Sequence, residues 1–266
     1  MTTTNEETKA SQGSASDGSC RIPTDLKVGS LTDVGRVREI NQDCLTADPV
    51  RGLFIVADGM GGHLAGEKAS LCAVETIGSM LTESALTEAA DEDLLRVVQE
   101  AIQAANRVIV QASLQDSSMR GMGTTATVAV ACDEAVYLGH IGDSRAYLMT
   151  GGTIEQVTED HSVVAQLLRA RAITPQEAAR HPYRNVITKC LGMQMEVEAD
   201  TRLVQWGPGD RLLLCSDGLS GLVSDEEILK LASEHDEPQV ACETMVALAN
   251  ERGGYDNISV ILLSRS

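Results

Sequence analysis

The chain has 266 residues and a hydrophobic fraction of 43%, which is enough for one large core or at most two small ones. The formal net charge of −18 would repel nucleic-acid backbones and anionic membranes. Aromatic residues are scarce, with one Phe, one Trp and four Tyr, so a surface that stacks nucleic-acid bases is not expected either.

The seven cysteines are scattered, and no two of them have the CxxC spacing of a structural zinc site. Their number is odd and most lie inside apolar runs, which predicts buried free thiols in a reducing cytoplasm. No apolar run reaches the ~18 residues of a membrane-spanning helix, and no apolar segment typical of a secretion signal begins the chain. We therefore expect a cytoplasmic protein that does not cross a membrane.

Residues 1–24 are dominated by Thr, Ser, Gly, Asn and Glu and contain few apolar side chains. A segment of this composition cannot bury enough surface to offset its ordering entropy. It is predicted to be a disordered tail, and a docking or regulatory arm is the alternative. Residues 25–266 are predicted to form one folded domain.

Short apolar runs at residues 26–32, 44–47 and 53–57 are bounded by Asp, Pro and Gly, which is typical of strands. Apolar residues then recur at intervals of three and four over residues 66–83 and 91–115. This periodicity predicts two amphipathic helices.

The chain continues with four closely spaced strands, a polar helix-capable stretch, two strands, two helices and a last strand. These elements are predicted at residues 124–132, 135–141, 144–149, 153–157, 162–191, 198–205, 211–216, 225–233, 238–251 and 258–263. The short connections permit antiparallel hairpins but not parallel crossovers. We therefore expect an α+β fold in which helices cover antiparallel sheets.

Five aspartates lie beside predicted strands: Asp43, Asp58, Asp143, Asp217 and Asp256. A single Asp-Gly after a strand is common in turns, but five carboxylates beside strands that pack together suggest a cluster at one sheet edge. Like charges this close repel strongly unless cations lie among them, so a di-metal site is predicted. The carbonyl of Gly59 would add another oxygen ligand of the kind that Mg²⁺ and Mn²⁺ prefer.

Arg38 lies five residues before Asp43, where its guanidinium could bind phosphate oxygens beside a metal. A surface arginine paired with Glu39 is the alternative. Other phosphate chemistries fit poorly, because Glu67 occupies the lysine position of a near-Walker A loop and no Cys has an Arg six residues later. The aspartates therefore predict metal-dependent hydrolysis of phosphate esters.

Seven motifs, in order, resemble those of the PP2C-type (PPM) serine/threonine protein phosphatases, most closely the bacterial branch. They lie at residues 32–43, 58–63, 121–126, 142–145, 159–161, 216–219 and 254–257. The resemblance runs from about residue 26 to residue 264, which is nearly the whole predicted domain.

This resemblance implies a four-layered αββα sandwich of two antiparallel sheets, in agreement with the α+β prediction. It also implies two Mn²⁺ or Mg²⁺ ions and a third, weaker metal site. Asp58 would bridge the two ions, and Asp143 would share the third metal with Asp217. The other implied ligands are the Gly59 carbonyl, Asp217, Asp256 and, directly or through water, Asp43. Residues 162–191 would form a flap that modulates substrate access.

By the same resemblance, a water bridging the two ions would attack the phosphorus of phosphoserine or phosphothreonine in a protein. Arg38 would bind the substrate phosphate, and Arg38, Asp58 and Asp217 would be catalytic. The implied partners are phosphorylated proteins and a cognate serine/threonine kinase. A monomer is expected.

Two positions depart from the family pattern. Met60 stands where animal members carry a His proposed as general acid, and that role is not transferred to His63, which is taken as structural. Gln42 stands where many members have Glu, which should tune metal affinity. No C-terminal membrane helix or sensor domain is visible, so we expect a bare catalytic module.

Two other functions stay open at this point. The same metal site would serve a phosphatase of small phosphate esters, and the sequence discriminates poorly between that and a protein phosphatase. A catalytically inactive homologue could act as a binding module, but it would be expected to lack ligands, and none of the five aspartates is absent.

Overall fold

The computed structural model of the chain describes residues 20–61, 65–178 and 180–266. Residues 1–19 of the predicted tail and His63 lie outside these ranges. The tail was predicted to run to residue 24, but Cys20 and Pro23 are buried. The end of the predicted tail is therefore packed against the domain.

Eleven strands lie within the described ranges, and all of their pairings are antiparallel. They are β1 (Leu26–Asp33), β2 (Asp43–Asp48), β3 (Leu53–Met60), β4 (Gly123–Thr124), β5 (Ala126–Ala131), β6 (Ala135–Ile141), β7 (Arg145–Thr150), β8 (Thr153–Gln156), β9 (Asp200–Gln205), β10 (Arg211–Cys215) and β11 (Ile258–Arg265). One sheet has the order β1-β11-β10-β7-β8. The other has the order β2-β3-β5-β6-β9, with β4 paired to the end of β3.

Eight α-helices are present in the same part of the chain. They are α1 (Ala65–Met80), α2 (Glu83–Glu88), α3 (Asp91–Gln115), α4 (Val163–Arg169), α5 (Pro175–Ala178), α6 (Asp217–Ser220), α7 (Asp225–Glu234) and α8 (Pro238–Glu251). Helices α1 and α3 cover the sheet that contains β3, and α8 covers the sheet that contains β11. The helices therefore form the two outer layers of the molecule.

Three apolar clusters fill the spaces between the four layers. One joins α1 and α3 to their sheet, with Ile55 and Ile102 among its members. The second lies between the two sheets and contains Phe54 and Leu214. The third lies between the other sheet and helices α7 and α8, around Tyr147 and Met245. The predicted α+β class and the αββα sandwich are confirmed.

Most predicted elements agree with the structure to within a few residues, and α3 and α8 have the predicted bounds. The short helices α2 and α6 were not predicted, because four to six residues are too few to display a helical period. The stretch 162–191 is called the flap below, and its described residues contain only two short helices, α4 and α5. The second of them, α5, begins with reciprocal capping hydrogen bonds between Thr174 and Glu177.

The antiparallel pairing gathers strand ends at one edge of the sandwich. Strand β2 begins at Asp43 where β3 is about to end, and Asp43 pairs directly with Asp58 in the register. On the other sheet, β10 ends at Cys215 beside Val260, near the start of β11. The loops that leave this edge therefore meet between the two sheets.

The structure corrects the expectation that the cysteines are free thiols. Cys20 and Cys132 form a disulfide across 112 residues of sequence. Cys44, Cys72, Cys190, Cys215 and Cys242 are free. The pairing could not be read from spacing, because it depends on the start of the domain packing beside the end of β5.

None of the helices in the described ranges is long and apolar enough to cross a membrane.

The disulfide is expected to stabilise the fold by restricting the unfolded chain. Cys20→Ser should lower the free energy of unfolding by about 2–4 kcal/mol, measured by urea denaturation without reductant. Cys132→Ser and the double variant should have the same effect as Cys20→Ser. A double variant clearly less stable than either single variant would contradict the bond, as would wild-type stability that is insensitive to reductant.

Candidate metal centre

Asp43 and Asp58 lie side by side at the edge of the sandwich where the strand ends gather. They are direct partners in the β2–β3 register, so their side chains lie on the same face. Ser216 donates a hydrogen bond from Oγ to Oδ2 of Asp43 (2.8 Å). The Asp58 backbone is fixed by Thr125, whose Oγ1 accepts from the Asp58 N–H at 2.8 Å. Hydroxyl groups thus hold the carboxylate of Asp43 and the backbone of Asp58.

Asp217 and Asp256 reach the same place from the other sheet. Asp217 opens α6 directly after β10, and its charge helps to raise the pKa of Asp58, so the two carboxyl groups lie near each other. Asp256 precedes β11, and its Oδ1 accepts from the backbone N–H of Asn257 at 2.9 Å. The four aspartates on the two sheets therefore face one another.

Asp143 lies in the turn between β6 and β7 and is buried. The turn depends on Gly142, which has a φ of +115° and whose missing Cβ would stand 2.5 Å from the Thr125 side chain. Burial and then the nearby charge of Asp217 raise the pKa of Asp143 to about 7. Asp143 therefore lies near Asp217, and a metal shared by the two stays a prediction.

The cluster has the properties of a cation site. One buried oxygen on each of Asp43, Asp143 and Asp217 lacks a hydrogen-bond partner among the described residues. Burial raises the pKa of Asp43 to about 7, and burial and nearby aspartates raise that of Asp58 well above its usual range. Unpartnered buried carboxylate oxygens are costly unless a cation or proton compensates them. The donor set is all oxygen, which fits Mn²⁺ or Mg²⁺.

Within the described ranges, no three His, Cys, Asp or Glu side chains converge closely enough to enclose an ion by themselves. Water would therefore have to complete the coordination, as is usual for Mg²⁺.

Gly59 is packed where no side chain would fit. A Cβ at this position would lie 2.1 Å from the carbonyl oxygen of Gly66 and 2.5 Å from that of Gln42. The N–H of Gly59 donates to the Gln42 carbonyl at 3.1 Å. The close approach of α1 to the end of β3 thus requires glycine, and the part of Gly59 in metal binding stays a prediction.

Arg38 lies at the rim of the cluster. Its Nη2 donates to Oδ2 of Asp256 at 2.7 Å, and both side chains are partly exposed. This hydrogen bond raises the pKa of Arg38, to which the charges of Asp58 and Asp217 also contribute. In the part of the chain that the structure describes, Arg38 is paired with Asp256 and not with Glu39, the alternative partner considered from sequence, so the guanidinium stands beside the aspartate cluster.

Asn257 organises the loop that carries Arg38, and this role was not predicted from the sequence. Its Nδ2 donates to the carbonyls of Val34 and Ile40 at 2.9 and 3.0 Å. Its Oδ1 accepts from the N–H of Gln42 at 2.8 Å. The only sequence signal was the position of an amide side chain directly after Asp256 and before a buried strand.

His161 joins the flap to the Asp143 turn, and this role was also not predicted. The Gly142 N–H donates to Nδ1 of His161 at 3.0 Å, and the His161 N–H donates to the Gly142 carbonyl at 2.7 Å. Burial lowers the pKa of His161, so the ring is neutral near pH 7, with Nδ1 accepting and Nε2 donating to Asp200 at 3.2 Å. His140 stacks on this ring with centroids 5.1 Å apart.

Backbone hydrogen bonds connect the two ends of the flap next to His161. Val163 donates from its backbone N–H to the Val186 carbonyl at 2.9 Å, and Thr188 donates to the His161 carbonyl at 2.7 Å. Arg145 holds Asp160, just before the flap, through bonds of 2.7 to 3.1 Å. A cavity of about 500 Å³ lies between the flap and the aspartate cluster.

The chain matches the family described as Protein phosphatase 2C over residues 36–255. The chain belongs to the protein phosphatase 2C family. This PP2C-type chain is 37% identical to the serine/threonine phosphatase stp of Listeria monocytogenes over 237 residues, which are 88% of this chain and 94% of the relative. It is 39% identical to the protein phosphatase PhpP of Streptococcus pneumoniae over 246 residues, 90% of this chain and 97% of the relative.

Solved structures agree with this membership. The Mycobacterium tuberculosis serine/threonine phosphatase PstP/Ppp superposes with a TM-score of 0.84 at 36% identity, covering 91% of this chain and 99% of that one. A catalytic domain of PstP in complex with two manganese ions superposes with a TM-score of 0.80 at 35% identity, covering 90% and 97%. The chain is thus a PP2C-type protein serine/threonine phosphatase of the bacterial type.

The raised pKa values predict how the metal-free PP2C-type chain responds to pH. Asp43 and Asp143 have pKa values of about 7 in the folded chain and 3.8 as their ordinary value, so the folded chain binds protons more tightly. The stability that these protons contribute is complete below pH ~4 and is lost as the pH rises through about 7. With chelator present, the melting temperature should therefore fall from pH ~5 to pH ~7 and level off above pH ~8, by about 2–4 °C for each kcal/mol lost.

Added Mn²⁺ should raise the melting temperature more at the higher pH, because fewer protons compete for the carboxylates. Asp43→Asn and Asp143→Asn should each flatten the pH dependence measured with chelator. A melting temperature that is constant or rises over this range in the metal-free protein would show that the cluster is not protonated in this way.

The bond between His161 and Gly142 can be tested with two amide side chains. Asn places its carbonyl oxygen near the position of Nδ1 and can accept from the Gly142 N–H, whereas Gln reaches only the position of Nε2. An unpaired buried N–H costs about 1–3 kcal/mol, so His161→Gln should lower the free energy of unfolding by about that much more than His161→Asn. Equal stabilities in urea denaturation would show that the bond contributes nothing.

Proposed function

We propose that this chain hydrolyses phosphoserine and phosphothreonine in proteins with two divalent cations held by its aspartate cluster. The observation that carries the proposal is the set of unpartnered, buried carboxylate oxygens on Asp43, Asp143 and Asp217. They lie where the two sheets meet. A fold that gathers negative charge without partners is built for a cation.

Asp58, Asp217 and Asp256 would hold the two ions, together with the Gly59 carbonyl and with Asp43 directly or through water. Asp143 would hold a third, weaker ion with Asp217. The ions would be Mn²⁺ or Mg²⁺, and a relative, PstP, has been solved with two manganese ions. When bound, such ions lower the pKa of a water toward 7 and neutralise the charge that builds up on the phosphate.

The residues of the chain supply positioning and charge. Ser216 orients Asp43, and Thr125 fixes the backbone of Asp58. Arg38 would turn from Asp256 to the phosphate of the substrate and offer two parallel N–H donors, since its side chain is half exposed at the rim. Asn257 keeps the Arg38 loop in reach of the cluster.

No proton donor stands at the position where animal members carry histidine. Met60 is half-buried at the end of β3, and its Cγ lies 3.5 Å from the point where a Cβ of Gly123 would be. Protonation of the leaving oxygen would then fall to water. This assignment agrees with the open cavity beside the cluster.

The proposed partners are phosphorylated proteins and a serine/threonine kinase whose action the chain reverses. A monomer and a cytoplasmic location are proposed with them. The five free cysteines support the cytoplasmic location. The Cys20–Cys132 disulfide stands against it, because such bonds are rare in reducing compartments.

The proposal is tested by Mn²⁺-dependent release of phosphate from phosphothreonine peptides, compared with p-nitrophenyl phosphate. Asp217→Asn and Asp58→Asn should each reduce kcat by at least about 10³-fold on both substrates, because each removes a charge that holds the ions. Their circular dichroism spectra should match the wild type. Wild-type turnover in either variant would refute the site, and higher kcat/KM on small esters would favour a small-ester phosphatase.

The role of Arg38 has a different signature. Arg38→Ala should raise KM more than it lowers kcat, because the arginine binds the phosphate in the ground state as well as the transition state. Arg36→Ala is the matched control, since Arg36 is an exposed arginine on the same loop. An unchanged KM in Arg38→Ala would argue against phosphate binding by this residue.

A further inference from the structure

The cavity between the metal cluster and the flap is larger than a phosphate group needs. Its volume is about 500 Å³, within the range of sites that enclose small ligands. Asp143, Asp217 and Asp256 line one end of it. The space beyond the aspartates is therefore available to whatever carries the phosphate.

The flap side of the cavity is apolar. Helix α4 turns Val164, Ala165 and Leu168 toward it, and Ala178 of α5 and Leu222 line it as well. No residue of α4 is fully buried, although five of its seven residues are apolar. A helix of this composition usually packs its apolar face against a partner. Here that face borders an open cavity next to the reaction centre.

The charged groups on the flap side differ in how they are used. Arg145 is neutralised by Asp160 and is also bonded to Tyr147. Arg184 lines the same cavity and is exposed. In the described ranges its side chain has no hydrogen bond or ion pair with another residue. It is the cationic group on this wall that a ligand can engage.

We propose that this cavity is a specificity pocket for the phosphoprotein substrate. It would take an apolar side chain close in sequence to the phosphorylated residue, and Arg184 would bind an acidic side chain next to that apolar one. The inference rests on the proposed function, and it adds which substrate sequences the phosphatase prefers.

The cavity is continuous with the aspartate cluster, and this indicates which part of the substrate would fill it. A phosphorylated side chain that reaches Asp58 and Asp217 brings its own flanking residues to the cavity, because the same space runs from the aspartates to α4. Burying an apolar side chain against Val164 and Leu168 would remove apolar surface from water and so favour binding of that substrate. Arg184 would compensate the negative charge of an acidic substrate side chain, which the otherwise strongly acidic protein would repel.

The test uses the full chain with Mn²⁺ and a panel of phosphothreonine peptides. A single Leu is moved through the positions within about four residues of the phosphothreonine in a Gly/Ser background. One position, or two adjacent ones, should raise kcat/KM about tenfold, which is typical of an apolar pocket. A Glu next to that Leu should raise it further, and a Lys there should lower it.

Two pairs of variants connect the preference to the cavity. Ala165→Leu fills the pocket and should remove the Leu preference, whereas Ala170→Leu, the same change at an exposed position of the flap outside the cavity, should keep it. Arg184→Ala should remove the Glu preference, whereas Arg180→Ala, also exposed and outside the cavity, should keep it. The measured quantity is the ratio of kcat/KM for each peptide to that for the Gly/Ser peptide.

Each outcome bears on one claim. Mn²⁺-dependent hydrolysis of all peptides with no effect of the Leu position overturns the pocket and leaves the proposed function standing. A preference that survives Ala165→Leu and Arg184→Ala also overturns the pocket, because the selectivity then lies elsewhere. Absence of phosphopeptide hydrolysis, with p-nitrophenyl phosphate still hydrolysed, overturns the proposed function itself. Arg184 is exposed, so its variant is informative even if Ala165→Leu does not fold.

Discussion

Repulsion among buried carboxylates is the constraint on which the rest of this structure depends. Burial raises the pKa values of Asp43, Asp58 and Asp217, and the charges of neighbouring aspartates raise them further. The fold holds them there with bonds from other strands, such as that from Ser216 to Asp43. Without a cation the cluster can persist near neutral pH only by taking up protons. The large apolar interior between the four layers supplies the stability that offsets this repulsion.

The two sheets contribute to the site in different ways. The sheet with β2 and β3 supplies Asp43 and Asp58 at paired positions, so their spacing follows from strand geometry. The other sheet supplies Asp217 and Asp256 from the loops at the end of β10 and the start of β11. Asn257 and Ser216 connect the two sets across the interface between the sheets. Sliding of one sheet against the other would therefore separate the carboxylates, and the packed middle layer resists it.

The flap is attached to the same edge, which places the proposed substrate-binding segment next to the aspartate cluster. His161 bonds twice to Gly142, the residue before Asp143, and Arg145 holds Asp160 at the base of the flap. The base is thus tied to the protein at two points, while α4 presents apolar side chains that are not fully buried. A firmly anchored base with an incompletely packed apolar face suits a segment that binds the residues around a phosphorylated side chain.

The sequence by itself determined the α+β class and most element boundaries, and it identified the five aspartates. This was possible because hydrophobic periodicity, turn residues and carboxylates at strand ends are local signals. It also indicated the family through seven motifs in order, and the comparisons confirmed that membership. Tertiary structure alone decided that Cys20 pairs with Cys132, that Asn257 holds the Arg38 loop and that His161 joins the flap to Gly142. These contacts link residues 19 to 223 positions apart. Their partners are fixed by how the layers pack, which no local pattern records.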